Sequence, residues 1–328
     1  MHRKESLDLL KIIAMWFIMT AHFMGWGGAV NSLAPQDANY YWVMPLYFIT
    51  QIGNTLFFLI SGYFFSECKV EKALFLERKA AFYAVVLSCL AGVLNGWKAS
   101  MLQSFFPIVF DFYWFISIYL ILYLLGSILR HGCETVSKKH FLIGLLALLF
   151  HNLFLAAPKY TLFEGLMAFL AGLYIRRFHP FRSAKKTTLA MLFAIAMLLY
   201  AVERVAVLKV GIEHTKADEA FRYILIFAAA VFLFAFFELF DLSGDGFSFF
   251  SKNIVAVYLI TAHPYLRNEL YQSFLHIEQF CHNSWFIVYY VLVNAALLFV
   301  CVMIDKLVSW INRKEVSFWL GLTKRDKI

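Results

Sequence analysis

Apolar runs close to 20 residues long recur from one end of this chain to the other, and no other feature narrows its fold as far. A helix rising ~1.5 Å per residue needs roughly 20 apolar residues to cross a ~30 Å hydrocarbon core. Ten such runs are legible, at about 7–26, 45–65, 75–97, 108–129, 140–157, 160–175, 187–207, 221–240, 252–272 and 284–305. The expected fold is therefore all-α: a polytopic integral membrane protein of about ten transmembrane helices, with one membrane domain filling residues 1–328. Composition agrees. The chain is 62% hydrophobic and only 15% charged, whereas soluble domains carry about 25% charged residues.

The first run is longer than the roughly 7–15 apolar residues of a secretory signal, and no A-x-A site follows, so it reads as a retained span. The cysteines Cys68, Cys89, Cys133, Cys281 and Cys301 are dispersed without a CxxC, as expected of small core residues and not of a disulfide or metal framework. A net charge of +8 is of the sign that suits nucleic acid, but its placement points elsewhere. With the N-terminus inside, 22 of the 29 Lys and Arg fall on the inner face. This is the positive-inside pattern of an N-in, C-in protein oriented against anionic lipid. No nucleic-acid partner is expected. The sixth run is the shortest, and a re-entrant segment there would invert everything after it. The basic tail, with Arg313, Lys314, Lys324, Arg325 and Lys327, argues against that inversion.

Within the first run, LDLLKIIAMWFIMTAH, stand two ionisable residues, Lys11 and His22. Eleven residues at 100° each come to about 20° past three complete turns, so both lie on one helix face, roughly 16 Å apart along the axis. Lys11 is four residues into the run and can snorkel to the interface, so an anchor and a ligand-binding cation are both open readings. His22 is too deep for that. It is either a satisfied interhelical hydrogen bond or a general base, since intramembrane ionisable groups need partners, water or a function.

Other polar residues collect at two depths. At the Lys11 level are Ser61 and Tyr63, in LFFLISGYFF, with Arg78 and Lys79 at the start of the third run. This cationic cluster would suit a ligand bearing phosphates, although Arg78 and Lys79 also satisfy the positive-inside rule. Nearer the His22 level are Asp111 and Trp114, in DFYWFISIYLILYLL, Glu164, and His263 before Pro264. They are candidates to orient His22 or hold an acceptor, against blander readings as interfacial or solvated residues. GxSxG, HExxH, GxGxxG and P-loop patterns are missing, and no metal site is expected.

The ordered set of LDLLKIIA-x7-H, LFFLISGYFF, a basic start to the third run, YWFISIYLILYLL and VYLITAHP resembles the membrane-bound acyltransferase 3 family over nearly the whole chain. The resemblance implies transfer of an acyl group, commonly acetyl from acetyl-CoA, to a hydroxyl of a sugar or cell-envelope glycan, in a multi-pass protein of the cytoplasmic (inner) membrane. It implies a catalytic role for His22, with Lys11 as its basic partner where Arg is commoner. With such a donor, the cluster of Lys11, Ser61, Tyr63, Arg78 and Lys79 is expected to form the donor-binding site. Many members place His directly after YLI of the late span, where this chain has Thr261, with His263 two residues on. The expected partners are membrane lipid, acyl-CoA as co-substrate and a glycan or lipid-linked sugar acceptor, with no tightly bound cofactor and homo-oligomerisation left open. The chain resembles the stand-alone type without an appended hydrolase-like domain. A rival from another class is a proton-coupled transporter or flippase relaying protons through His22, Glu164 and His263. The inverted repeats of such proteins are not seen here.

Overall fold

The computed structural model describes residues 4–155, 162–210, 216–242, 244 and 246–325, and among them every regular element is a helix. In chain order these are α1 (Glu5–Trp26), α2 (Ala29–Ser32), α3 (Tyr40–Thr50), α4 (Gly53–Phe64), α5 (Val70–Asn95), α6 (Trp114–Thr135), α7 (Lys138–Leu155), α8 (Leu162–Phe178), α9 (Lys186–Val210), α10 (Lys216–Glu238), α11 (Ser248–Thr261), α12 (Ile277–Phe280) and α13 (Phe286–Arg325). A 3-10 turn covers Ala99–Phe105 and a π-helical turn Glu269–Phe274. Among the described residues, six stretches are long and apolar enough to cross a membrane: Glu5–Trp26, Tyr40–Phe64, Trp114–Thr135, Lys186–Arg204, Phe221–Glu238 and Phe286–Ile311. Large apolar side chains such as Val93, Ile128, Leu198 and Leu292 stand exposed on outward helix faces. In water such surfaces would be an aggregation liability; facing lipid tails, they are the ordinary exterior of a membrane protein.

The apolar runs coincide with helices, apart from the end of the fifth and the start of the sixth, which lie outside the described residues. Three boundaries differ, each for a local reason. The second run is two helices, because Gln51 N and Ile52 N bond back to Phe48 O and Ile49 O, a tightened turn that separates α3 from α4. The fourth begins as a helix only at Trp114, after a turn in which Asp111 adopts a left-handed backbone (φ 50°). The ninth was expected to continue to residue 272, but α11 stops at Thr261. Pro264 disfavours helical backbone at His263, so His263 belongs to the turn beyond the helix and not to its interior.

Helix α1 runs through the centre, touching α3, α4, α10, α11 and α13. Its first turn is fixed by buried carboxylates. Glu5 Oε1 accepts the Phe247 N–H at 2.6 Å, and Asp8 Oδ1 accepts the Ser251 hydroxyl at 2.8 Å. Helices α4 and α8 form the tightest seam. A Cβ on Gly62 would run into the Phe169 carbonyl, and one on Gly172 into the Leu59 carbonyl. Small residues let the two backbones approach this closely.

Candidate active site

Helix α1 ends one turn after His22, where Gly28, at φ 85°, takes the left-handed conformation that terminates helices. The His22 ring stacks on Trp26, one turn on, with centroids 3.9 Å apart and planes 16° from parallel. Tyr258 of α11 approaches it at 6.3 Å. His22 Nδ1 is buried with no hydrogen-bond partner among the described residues. The same ring lines a cavity of about 380 Å³ with Ile18, Gly25 and Trp26 of α1, Tyr47 and Thr50 of α3, Gln51, Asn54 of α4 and Trp114 of α6. Asn54 Oδ1 is also buried without a partner. Two unpaired polar atoms on one cavity wall call for a physical explanation, because most buried polar groups are satisfied.

Lys11 lines a second cavity, of about 430 Å³. Its ammonium lies 3.6 Å from Asp8 Oδ1 and 4.8 Å from the centre of the Phe64 ring. The remaining walls are mainly apolar, from Phe57, Phe58 and Ile60 of α4, Phe115 and Ile116 of α6 and Ile254 of α11, with Ser61, Glu67, Lys72 and Tyr119 as polar additions. Both cavities take walls from α1, α4 and α6. They adjoin along those helices: Asn54 and Trp114 face the His22 cavity, Phe57 and Phe115 the Lys11 cavity. The Gly53 backbone packs against Ala14 and Ile18, where an added Cβ would lie 2.9 Å from the Ala14 carbonyl oxygen, and this holds α4 against α1 between the two levels.

The remaining candidates are divided by the packing. Ser61 lines the Lys11 cavity and donates to Phe57 O at 2.6 Å, and Trp114 lines the His22 cavity. Tyr63 points elsewhere: its hydroxyl donates to Glu238 Oε1 of α10 at 3.0 Å. Lys79 is ion-paired with Asp305 of α13 at 2.7 Å, and Arg78 is exposed; neither lines the Lys11 cavity. Lys72, about two turns nearer the start of α5, does. Asp111 is exposed, and Glu164 lies in the first turn of α8; neither lines the cavities at Lys11 and His22. His263 is fully buried and directed at α5, with Nε2 3.2 Å from Ala84 O and 3.3 Å from Ser88 Oγ. Since the carbonyl can only accept, the proton sits on Nε2. His263 thereby ties the turn after α11 to α5.

Sequence reasoning passed over Trp26, Asn54, Lys72 and Arg267. Trp26 was reachable from its four-residue spacing to His22, and Asn54 as a polar residue interrupting an apolar run. Arg267, whose guanidinium lies 4.6 Å from the Trp26 ring centre, comes from a distant turn that no periodicity links to α1. Among the described residues, no group of three or more His, Cys, Asp or Glu could hold a metal ion.

The model of an acyltransferase domain, acyltransferase 3, matches residues 4–306. The chain belongs to the acyltransferase 3 family. No curated protein and no solved structure matches it. A membrane acyltransferase of this family needs a place for an acyl donor and a group able to move a proton or hold the acyl group. The Lys11 cavity offers mainly apolar walls with Lys11 and Lys72 among them, and the His22 cavity an imidazole whose Nδ1 lacks a hydrogen-bond partner among the described residues.

Proposed function

We propose that the protein is an O-acyltransferase of the cytoplasmic membrane, N-in and C-in with ten spans, that moves an acyl group, acetyl foremost, from acyl-CoA to a hydroxyl of a sugar or cell-envelope glycan. The observation that carries this reading is the placing along α1 of an imidazole on the wall of one cavity and a lysine on the wall of the adjoining one. The donor would enter at the Lys11 end, with Lys11 and Lys72 near its anionic part and its slender acyl arm along the apolar walls. Of the other expected donor contacts, Ser61 lines this cavity, whereas Tyr63, Arg78 and Lys79 do not. With Nδ1 buried, Nε2 is the ring nitrogen left to meet a substrate.

In the reaction, Nε2 accepts the proton of the acceptor hydroxyl as its oxygen attacks the thioester carbonyl. The C–S bond then breaks, and the departing thiolate takes the proton back from the imidazolium, giving ester and free thiol. An acyl-imidazole formed first on Nε2 would deliver the same products in two steps. Trp26, stacked on the imidazole, limits its rotation and so its loss of aim.

The test is transfer of radiolabelled acetyl from acetyl-CoA to envelope glycan by purified protein. His22→Ala is expected to lower the rate by about 10²–10⁴-fold, the usual worth of a positioned acid–base group. Near wild-type transfer would end the catalytic role. Lys11→Arg should keep donor affinity and Lys11→Ala lose it; an unaffected Ala variant would remove Lys11 from the donor site. Thiol release on adding acceptor separates an enzyme from a transporter, which would give none.

A further inference from the structure

The loop joining α4 to α5 is gripped from α6 and α8 through its backbone. Arg176 Nη1 donates to Phe65 O, and Arg130 Nη1 donates to Ser66 O. Ser127 Oγ accepts the Cys68 N–H at 2.9 Å, and Tyr123 OH accepts the Lys69 N–H at 3.1 Å. Phe65, Ser66 and Glu67 of this loop are also wall of the Lys11 cavity. The same two arginines line a smaller pocket of about 170 Å³ between α6 and α8, with Cys133, Glu134, Leu173 and Arg177. The loop thus walls the Lys11 cavity while two arginines of the smaller pocket hold its backbone.

The smaller pocket is built with regularity. Each helix supplies positions i, i+3 and i+4: Arg130, Cys133 and Glu134 from α6, and Leu173, Arg176 and Arg177 from α8. Three guanidinium groups face a single carboxylate, Glu134, which Arg130 Nε already occupies at 2.7 Å. Arg177 Nη1 is held on Val136 O at 2.8 Å. Arg130 is thus balanced by Glu134, while Arg176 and Arg177 are held by backbone carbonyls that carry no charge to offset theirs. Each guanidinium has five N–H donors, so these contacts leave most of them unspent. Charges that served only to orient a helix would extend separately into the interface, with no reason to converge on a cavity.

We infer that Arg130, Arg176 and Arg177 form a phosphate-binding pocket joined to the Lys11 cavity through the 65–69 loop. Phosphate is the chemistry that a fixed set of planar forks recognises best. Two molecules could bring it: the nucleotide end of the acyl donor, which rests on the function proposed above, and the headgroup of an anionic phospholipid, which does not.

The experiment uses the full-length protein in nanodiscs of phosphatidylcholine alone, in wild-type form and as Arg130→Gln, Arg176→Gln and Arg177→Gln. Coenzyme A and its 3′-dephospho form are titrated calorimetrically, and retention of added phosphatidylglycerol is followed by native mass spectrometry. Loss of one charge-assisted contact is expected to weaken phosphate binding about tenfold or more. Weaker coenzyme A binding with unchanged lipid retention assigns the pocket to the donor. Lost lipid retention with unchanged coenzyme A binding assigns it to lipid. No change in either, in variants that melt like wild type, overturns the pocket. Arg177→Gln guards against misfolding, since Arg177 is exposed and does not hold the 65–69 loop. A wild-type protein that binds no coenzyme A would count against the proposed function, while the lipid arm still decides the pocket.

Discussion

Lys79 and Asp305 show how much a single partner changes the meaning of a membrane cation. Asp305 is almost fully enclosed, with a side chain 3% exposed, and takes the Lys79 ammonium at 2.7 Å and the Tyr83 hydroxyl at 2.9 Å. Removing one member of such a pair leaves a buried charge uncompensated, at a cost of about 3–5 kcal/mol. The cost should be unequal here. Lys79→Met strands the enclosed carboxylate, whereas in Asp305→Asn the lysine stem can carry its charge toward water. Thermal melts in detergent are expected to show the larger loss for Lys79→Met, with Lys79→Met/Asp305→Leu recovering part of it. Equal losses would contradict that account. The sequence could not separate Lys79 from Lys72, because seven residues return to nearly the same helix face. The difference comes from α13, more than two hundred residues away, and His263 likewise takes its meaning from a distant helix, since its partners are on α5. His22 and Lys11 were legible because one helix holds them both.

The helices themselves were legible, since hydrocarbon admits few alternatives to them. Their ends and interruptions depended on smaller signals, such as Pro264 after α11 and the turn at Gln51 that parts α3 from α4. How closely two helices approach is less visible still, because glycine in a membrane helix can mark a seam or nothing at all. Gly62 lies against the Phe169 carbonyl across the α4–α8 seam, while Gly144 on α7 has nothing within 4 Å of where a Cβ would be. Gly62→Ala is therefore expected to destabilise by about 1–3 kcal/mol through overpacking. Gly144→Ala should be neutral or stabilising by up to about 1 kcal/mol, through helix propensity alone. Paired melting curves test the contrast, and a tolerant Gly62 would mean the seam is looser than it is described above.

For the whole molecule, the asymmetry of Lys and Arg gives an expected orientation with both termini on the cytoplasmic face. Reporter fusions at each end check it: a fluorescent protein active only in the cytoplasm should light at both, and a periplasmic phosphatase at neither. The two adjoining cavities could not be read from the chain, because their walls come from α1, α4 and α6 together. Their arrangement along α1 also acts as a gauge of substrate length. Roughly 16 Å of helix axis separates the lysine from the imidazole, so only a donor whose negative charge and reactive carbonyl are similarly far apart can engage both at once. Acetyl phosphate, with its charge one bond from its acyl group, should be a poor donor even at concentrations that saturate other acetyl-transferring enzymes. Transfer assays with acetyl phosphate replacing acetyl-CoA are expected to fall to the level of the His22→Ala protein. Selection by length, made by a single helix, would then keep a common small metabolite from bypassing the intended donor.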